Sequence, residues 1–112
     1  YFATAYPGVI KGWHLHKTQE QNYCVIKGMV KLVIYDPRKD SETHNQVQEI
    51  FLGEKNHVIV KIPPGLINGW KCIGNEKAIL ANCSNEEHRA NEMERIEPFS
   101  KNIPYNWDII LK

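Results

Sequence analysis

The chain has 112 residues, of which 42% are hydrophobic and 24% are charged, and its formal net charge is +1. This length fits a single domain with one core, and the composition is typical of a globular protein rather than a disordered or coiled-coil one. Lys and Arg are interspersed with Asp and Glu without forming a basic stripe, which argues against nucleic acid and anionic membranes as partners.

Apolar and polar residues alternate in short runs separated by turn residues, a pattern that predicts β-strands. The predicted strands are residues 1–5, 9–16, 22–27, 29–35, 47–52, 57–62, 69–73 and 77–83. Residues 36–41 are expected to form a polar loop, and residues 63–65 a rigid turn, because proline has no N–H for a sheet ladder. Eight short strands would leave exposed edges unless the sheet closes on itself. The pattern therefore predicts an all-β jelly-roll barrel, with residues 1–112 as a single domain.

The alternation also predicts which side chains enter the core. Two strands each place three aliphatic side chains on one face: Val30, Leu32 and Ile34, and Val58, Val60 and Ile62. Residues 84–112 are expected to be mostly irregular and to pack on the barrel. Within them, residues 85–95 are the one stretch whose composition allows a short surface helix.

The cysteines indicate a compartment. Cys24, Cys72 and Cys83 have no Cys-x-x-Cys spacing, and an odd number cannot pair completely into disulfides. A reducing cytoplasm is therefore the expected location. No apolar run approaches the ~18 to 20 residues that a membrane-spanning helix needs, so no membrane segment is predicted.

His14 and His16 are the first candidates for chemistry, because side chains two apart in a strand leave the sheet by the same face. Ile10 and Gly12 are expected on that face too. An isolated His-x-His pair lacks a functional role about as often as it has one, so the assignment needs further support from the surrounding residues.

The wider spacing supplies that support. The spacing is Gly8, five residues, His14, one residue, His16, four residues, Gln21, six residues, Gly28. It resembles the first motif of the cupin superfamily. Residues 63–68 resemble the second motif. The resemblance implies a cupin-type jelly-roll β-barrel with both histidines in its interior. Metal-binding cupins take two His and a Glu from the first motif and another His from the second. Here the Glu position is Gln21 and the second-motif His is Asn68.

These two amides argue against a metal centre. An amide is a poor ligand for a transition metal beside imidazole and carboxylate groups, so we expect neither a catalytic metal nor another cofactor. Any residual site would use His14, His16 and Glu20.

A closer resemblance is to the dTDP-4-dehydrorhamnose 3,5-epimerases within the cupin group. Residues 7–14 resemble the segment of that family that ends in its catalytic His, and residues 35–43 resemble its Asp-Arg-x-x-Ser-Pro-Thr loop. Residues 52–56, 62–65 and 103–107 match the family as well. The resemblance implies a sugar-nucleotide isomerase that acts on a 4-keto-6-deoxy sugar and forms a homodimer.

The family's reaction implies roles for residues of this chain. A base removes a proton next to the keto group, and an acid returns one on the opposite sugar face. His14 would be the base, assisted by His16, since an imidazole with a pKa near 6.5 suits proton removal at neutral pH. Lys11 stands where the family has an Arg that neutralises the diphosphate, although in a regular strand it would point away from His14. The remaining expected substrate contacts are Gln21, Tyr23, Asn68 and Trp70.

The acid is missing from its usual position. Where the family has an acid Tyr followed by Lys, this chain has Ala81 followed by Asn82, and the family's late Asp, which orients the base, has no clear counterpart. The tyrosines that could serve from elsewhere in the cavity are Tyr1, Tyr6, Tyr23 and Tyr35.

Two other functions therefore stay open. The first motif, with Lys17 and Cys24, also resembles that of the sugar-nucleotide 3,4-ketoisomerases, which move protons along one sugar face and need no acid opposite. The second alternative is a non-catalytic cupin that binds a sugar nucleotide and has lost the acid Tyr.

Overall fold

A computed structural model of the chain describes residues 1–84 and 92–108. Within these ranges the chain forms strands β1 (Phe2–Ala5), β2 (Ile10–His16), β3 (Gln21–Lys27), β4 (Met29–Tyr35), β5 (Val47–Gly53), β6 (Val60–Ile62), β7 (Ile67–Cys72), β8 (Ala78–Asn82) and β9 (Met93–Arg95). Antiparallel pairing builds one sheet in the order β1-β8-β3-β6 and another in the order β5-β4-β7-β2-β9. The predicted all-β jelly roll is confirmed. No helix in the described ranges has the length and apolarity of a membrane span.

All eight predicted strands are present, but two details of the prediction are wrong. The strand expected at residues 57–62 begins only at Val60, and Val58, expected in the core, is 44% exposed. Backbone hydrogen bonds between Gly53 and Asn56 form a turn after β5, and the Val58 N–H donates to the Asn56 carbonyl. The strand β6 therefore begins only after this turn. The helix allowed for residues 85–95 is contradicted at Met93–Arg95, which forms β9 on the edge of β2, and its residues 85–91 lie outside the described ranges.

The core between the two sheets is built from alternate side chains of each strand. Val30 and Leu32 of β4 are fully buried there, with Ile34 packed against them, as the alternation predicts. Among residues 1–84 and 92–108, eleven buried residues belong to this cluster, including Tyr23, Trp70 and the inward positions of β8. Each fully buried aliphatic side chain of this kind contributes roughly 1.5–3 kcal/mol.

A second cluster covers the outer face of the five-stranded sheet. Trp107 and Ile103 of the C-terminal segment pack on Trp13, Val33 and Tyr35, and all five are buried. β4 is therefore buried on both faces. Residues 96–108, which follow β9, form no strand, and the ring of Trp107 packs on Trp13 on the outer side of the sheet.

A β-bulge in β2 decides which side chains face the core. In the pairing of β2 with β7, Lys11 lies opposite Trp70 and His14 opposite Asn68, with a register shift between Gly12 and His14. Trp13 is the extra residue and packs in the outer cluster. Because one residue is inserted, the side chains of Lys11 and His14 leave the sheet on the same side.

The bulge corrects two sequence-based expectations. Lys11 does not point away from His14, because the strand is not regular between them. Ile10 does not share a face with the histidines, since it packs against the outer cluster with Trp13.

Candidate functional site

A cavity of about 520 Å³ opens between the two sheets, and side chains from both sheets and from the segment around β9 line it. Five of the seven residues predicted for the site lie on its walls: Lys11, His14, His16, Gln21 and Trp70. The remaining two, Tyr23 and Asn68, are not among the lining side chains.

His14 is held in the neutral state. Burial in the cavity wall, followed by the positive charges of Arg95, His16 and Lys11, lowers the pKa of His14 from 6.5 to about 4. Arg95 stands directly opposite His14 in the pairing of β9 with β2. A neutral imidazole can accept a proton, so this environment keeps His14 available as a base well below neutral pH.

His16 has a different environment. Its Nδ1 donates to Glu92 Oε2 over 2.8 Å, and the Glu92 side chain is almost completely buried. The other carboxylate oxygen of Glu92 accepts hydrogen bonds from the backbone N–H groups of Gln19 and Thr18, over 2.9 and 3.2 Å. Burial alone would raise the pKa of Glu92, but these hydrogen bonds outweigh it and the pKa is lowered. Glu92 is thus an anion that fixes the orientation of the His16 ring.

Glu92 and Arg95 were not predicted as site residues from the sequence. Glu92 lies 76 residues from His16 along the chain, and no spacing rule connects the two. Arg95 belongs to a strand that the local composition did not indicate. It lines the cavity with Lys11, so two permanent positive charges flank the histidines. Together they form an environment that attracts an anionic ligand.

Gln21 and Asn82 form the polar part of the opposite wall. The Asn82 side-chain amide donates a short hydrogen bond to Gln21 Oε1, and Asn82 Oδ1 accepts from the Asn22 backbone N–H over 3.1 Å. Gln21 in turn donates to Gln19 Oε1. These bonds hold the amides in fixed orientations, so that the wall offers preset polar groups to a ligand.

Tyr23 and Asn68 lie behind the cavity, where both are about 1% exposed or less. The Tyr23 hydroxyl donates to Asn68 Oδ1 over 2.9 Å, and burial is the main cause that raises the pKa of Tyr23. Asn68 Nδ2 has no hydrogen-bond partner within the part of the chain that the structure describes. Asn68 is the neighbour of His14 across the β2–β7 ladder and therefore supports the wall that carries the base.

The position expected for the acid does not face the cavity. Along β8 the inward side chains are Ala78, Leu80 and Asn82, so Ala81 points to the outer side of the sheet. Of the four candidate tyrosines, Tyr1 lines the cavity. Tyr6 is 69% exposed, the Tyr35 hydroxyl donates to Asn45, and Tyr23 is bonded to Asn68.

The loop that resembles the Asp-Arg-x-x-Ser-Pro-Thr motif lies outside the cavity. The Asp36 carboxylate is buried and accepts hydrogen bonds from the backbone and guanidinium N–H groups of Arg38 and from the Thr43 hydroxyl. These bonds hold the pKa of Asp36 well below its usual range, the Arg38 side chain being the largest cause. The loop is therefore stabilised by its own side chains.

No group of three or more His, Cys, Asp or Glu side chains within residues 1–84 and 92–108 is arranged to hold a metal ion. Glu20, the third ligand of the residual site considered above, lies 3.9 Å from Lys61 Nζ. It is not among the side chains that line the cavity.

A larger groove, of about 940 Å³, lies on the outer face of the five-stranded sheet. Its charged groups are already partnered: Lys31 lies 3.7 Å from Glu49 and over the rings of Tyr105 and Trp107, and Lys71 donates to the Trp107 carbonyl. The convergence of unlike titratable groups therefore favours the smaller cavity as the chemical site.

A family model described as dTDP-4-dehydrorhamnose 3,5-epimerase matches residues 2–112 of this chain. The probable low-salt glycan biosynthesis epimerase Agl13 of Haloferax volcanii is 33% identical over 107 residues, which are 95% of this chain and 65% of that protein. The spore coat polysaccharide biosynthesis protein SpsL of Bacillus subtilis is 28% identical over 109 residues, which are 96% of this chain and 72% of that protein.

Among solved structures, the dTDP sugar isomerase from Desulfovibrio desulfuricans G20 superposes on this chain with a TM-score of 0.94 at 32% identity. The superposition covers 96% of this chain and 69% of that one. This chain thus spans about two thirds of the length of these three proteins.

Proposed function

Because this chain belongs to the dTDP-4-dehydrorhamnose 3,5-epimerase family, we propose that it isomerises a 4-keto-6-deoxy sugar nucleotide in the cavity between its two sheets. The observation that carries the proposal is the environment of His14, an imidazole kept neutral at the wall of a cavity that also holds two permanent cations. The names of the relatives support a product that is used in building a glycan or polysaccharide.

In the proposed step, His14 removes a proton from the carbon next to the keto group. The electron pair of the broken C–H bond moves into the new carbon–carbon double bond, and the keto oxygen gains the negative charge of an enolate. A base of low pKa is a weaker proton acceptor, so the site must also stabilise this enolate. A hydrogen bond from the His16 ring to the keto oxygen is proposed to serve that purpose.

Lys11 and Arg95 are proposed to bind the diphosphate of the nucleotide. Lys11 acts as a point charge, whereas the Arg95 guanidinium can donate two parallel hydrogen bonds to phosphate oxygens. Their charges also lower the pKa of His14, so an anion bound between them would raise it again. Substrate binding would thereby increase the basicity of His14 at the moment that it is needed.

His16 is proposed to assist as a proton carrier next to the keto oxygen. Glu92 holds the Nδ1 side of the ring, which leaves Nε2 on the far side of the ring from the carboxylate. From Nε2, a protonated His16 ring can donate a proton to the enolate oxygen and take it back.

The 3,4-ketoisomerase reaction remains the second candidate, and one observation favours it. His14 and His16 are on the same strand and face the cavity from the same wall. Two imidazoles on one side can move a proton between neighbouring carbons and oxygens of an enediol without an acid opposite. Carbonyl migration, rather than inversion, would then be the outcome.

Incubation with dTDP-4-keto-6-deoxyglucose in deuterated water tests the proposal. We expect solvent deuterium at sugar C3, C5 or both, detected by NMR, and its loss in His14→Asn. The control is His44→Asn, since His44 is exposed and does not line the cavity. Label accompanied by carbonyl migration would select the ketoisomerase.

Wild-type protein that incorporates no deuterium, under conditions where an authentic epimerase labels its substrate, would contradict the proposal. If the nucleotide sugar then still raised the melting temperature of both wild type and His14→Asn, the chain would be a binding cupin without catalysis.

A further inference from the structure

Tyr1 occupies the inward position next to Asn82 on the four-stranded sheet. Its N-terminal amino group donates to the Asn82 carbonyl over 2.8 Å, and the Asn82 N–H donates to the Tyr1 carbonyl over 2.9 Å. These two bonds continue the β1–β8 ladder, in which Phe2 pairs with Ala81 and Ala3 with Leu80. Residues directly opposite in an antiparallel ladder share a face. Because the Asn82 side chain faces inward, the Tyr1 side chain faces the cavity as well.

This position puts Tyr1 and His14 on opposite walls. Tyr1 extends from the four-stranded sheet and His14 from the five-stranded sheet, and both line the same cavity. Stacked sheets are about 10 Å apart, which leaves room for one sugar ring with a side chain on each of its faces. The arrangement supplies a hydroxyl on the side of the ring that the two histidines do not reach.

The electrostatics of a neighbouring residue support the inward orientation. Burial raises the pKa of Tyr23, and the nearby phenol of Tyr1 raises it further, so the two hydroxyls are close enough to interact. Tyr23 is bonded to Asn68, which is the ladder neighbour of His14. The interaction with Tyr23 and the place of Tyr1 in the cavity lining both put the Tyr1 side chain on the cavity side of the sheet.

We propose that Tyr1 is the general acid of the reaction, in place of the tyrosine that the family has at the position of Ala81. The inference rests on the epimerase activity proposed above. After His14 has taken the proton, the enolate oxygen re-forms the carbonyl and the electron pair of the double bond returns to the carbon. That carbon takes the hydroxyl proton of Tyr1 on the face opposite His14. The O–H bond breaks, the new C–H bond forms with inverted configuration, and the imidazolium returns a proton to the tyrosinate through solvent.

The exposure of Tyr1 fits this role. Tyr1 is 72% exposed and lines the cavity, so a sugar bound there would cover part of its side chain and exclude water from it. With the hydroxyl on one wall and the imidazole on the other, removal and return of a proton occur on opposite faces. Tyr1 thus distinguishes inversion from carbonyl migration along one face.

The test compares Tyr1→Phe with wild type in the full chain, using dTDP-4-keto-6-deoxyglucose in deuterated water. We expect Tyr1→Phe to lower the rate of inversion by at least about 100-fold, the lower end of what a positioned acid contributes. Exchange of the substrate proton for deuterium, which needs only His14, should persist in the variant and show that it folds and binds. The matched control is Tyr6→Phe, since Tyr6 is equally exposed but does not line the cavity.

Two results would overturn the role of Tyr1 while leaving the proposed function intact. One is inversion by Tyr1→Phe at the wild-type rate. The other is a folded Tyr1→Phe, judged by an unchanged melting temperature, that loses exchange together with inversion, because Tyr1 would then act in binding. A wild-type chain with neither exchange nor inversion would instead remove the proposed function itself.

Discussion

The low pKa of His14 predicts how the activity of the enzyme depends on pH. With a pKa of about 4, His14 is about 97% neutral at pH 5.5, whereas an imidazole with the ordinary value of 6.5 would be about 9% neutral. Between pH 7.5 and 5.5 the wild-type enzyme should therefore keep nearly all of the kcat/KM that depends on His14. An unperturbed histidine would lose roughly tenfold over the same range.

The substitution Arg95→Gln tests the cause of the low His14 pKa. Arg95 is the largest electrostatic cause of the low pKa after burial, so its removal should raise the pKa of His14. Since burial remains, the value should stay below 6.5. The base must be deprotonated to act, so the loss of activity on the acid side should move to higher pH by the same amount as the pKa.

The assay is an NMR titration of the His14 ring in the free protein, followed by the pH dependence of kcat/KM. The titration separates the effect on the base from any weaker binding of the diphosphate. Lys39→Gln is the control, because Lys39 is an exposed loop residue and is not among the charges that act on His14. A wild-type His14 that titrates near pH 6.5, or an Arg95→Gln variant that titrates like wild type, would refute the reasoning.

Three further substitutions test other parts of the account. Glu92→Gln should lower kcat by about 100-fold, because His16 loses the carboxylate that holds its ring in position for proton transfer. Gly53→Ala should destabilise the fold by about 3 kcal/mol in urea unfolding, since the new Cβ would lie 2.0 Å from the Gly28 carbonyl oxygen at a φ of +145°. Asp36→Asn should cost about 1.5–3 kcal/mol without changing the pH profile, because the loop loses charged hydrogen bonds away from the cavity.

Each of these substitutions has a matched control. Glu94→Gln removes an exposed carboxylate two residues from Glu92, in β9, and should leave kcat unchanged. Gly8→Ala has open space around its Cβ and a φ of +85°, so it should cost only the conformational penalty of about 1–2 kcal/mol. Asp40→Asn, in the same loop as Asp36 but exposed, should leave stability unchanged. If a test substitution and its control changed activity or stability equally, the contact assigned to the test residue would not be the cause of the change.

The sequence predicted the fold well where local pattern determines structure. β4 was predicted with its observed limits, because its alternation is strict and Gly28 and the polar loop bound it. β9 was not predicted, since three residues of polar composition become a strand only by pairing with the edge of β2. Distant pairing of this kind leaves no periodic signal in a single sequence.

The candidate site shows the same division. The spacing of the motif led to His14 and His16. The direction of the Lys11 side chain depends on the β-bulge in β2, where Trp13 is the extra residue and packs on the outer face. Glu92 and Arg95 reach the site through contacts with residues about 80 positions earlier. The residues that tune the histidines were therefore the ones that sequence reasoning could not find.

The structure of the full chain with a bound dTDP-sugar tests the central claim most directly. We expect the sugar ring between the two sheets, with the His14 imidazole within about 3.5 Å of a carbon next to the sugar C4 and the diphosphate beside Lys11 and Arg95. A sugar nucleotide seated instead in the outer groove, against Tyr105 and Trp107, would contradict the claim that the histidine cavity is where the chemistry takes place.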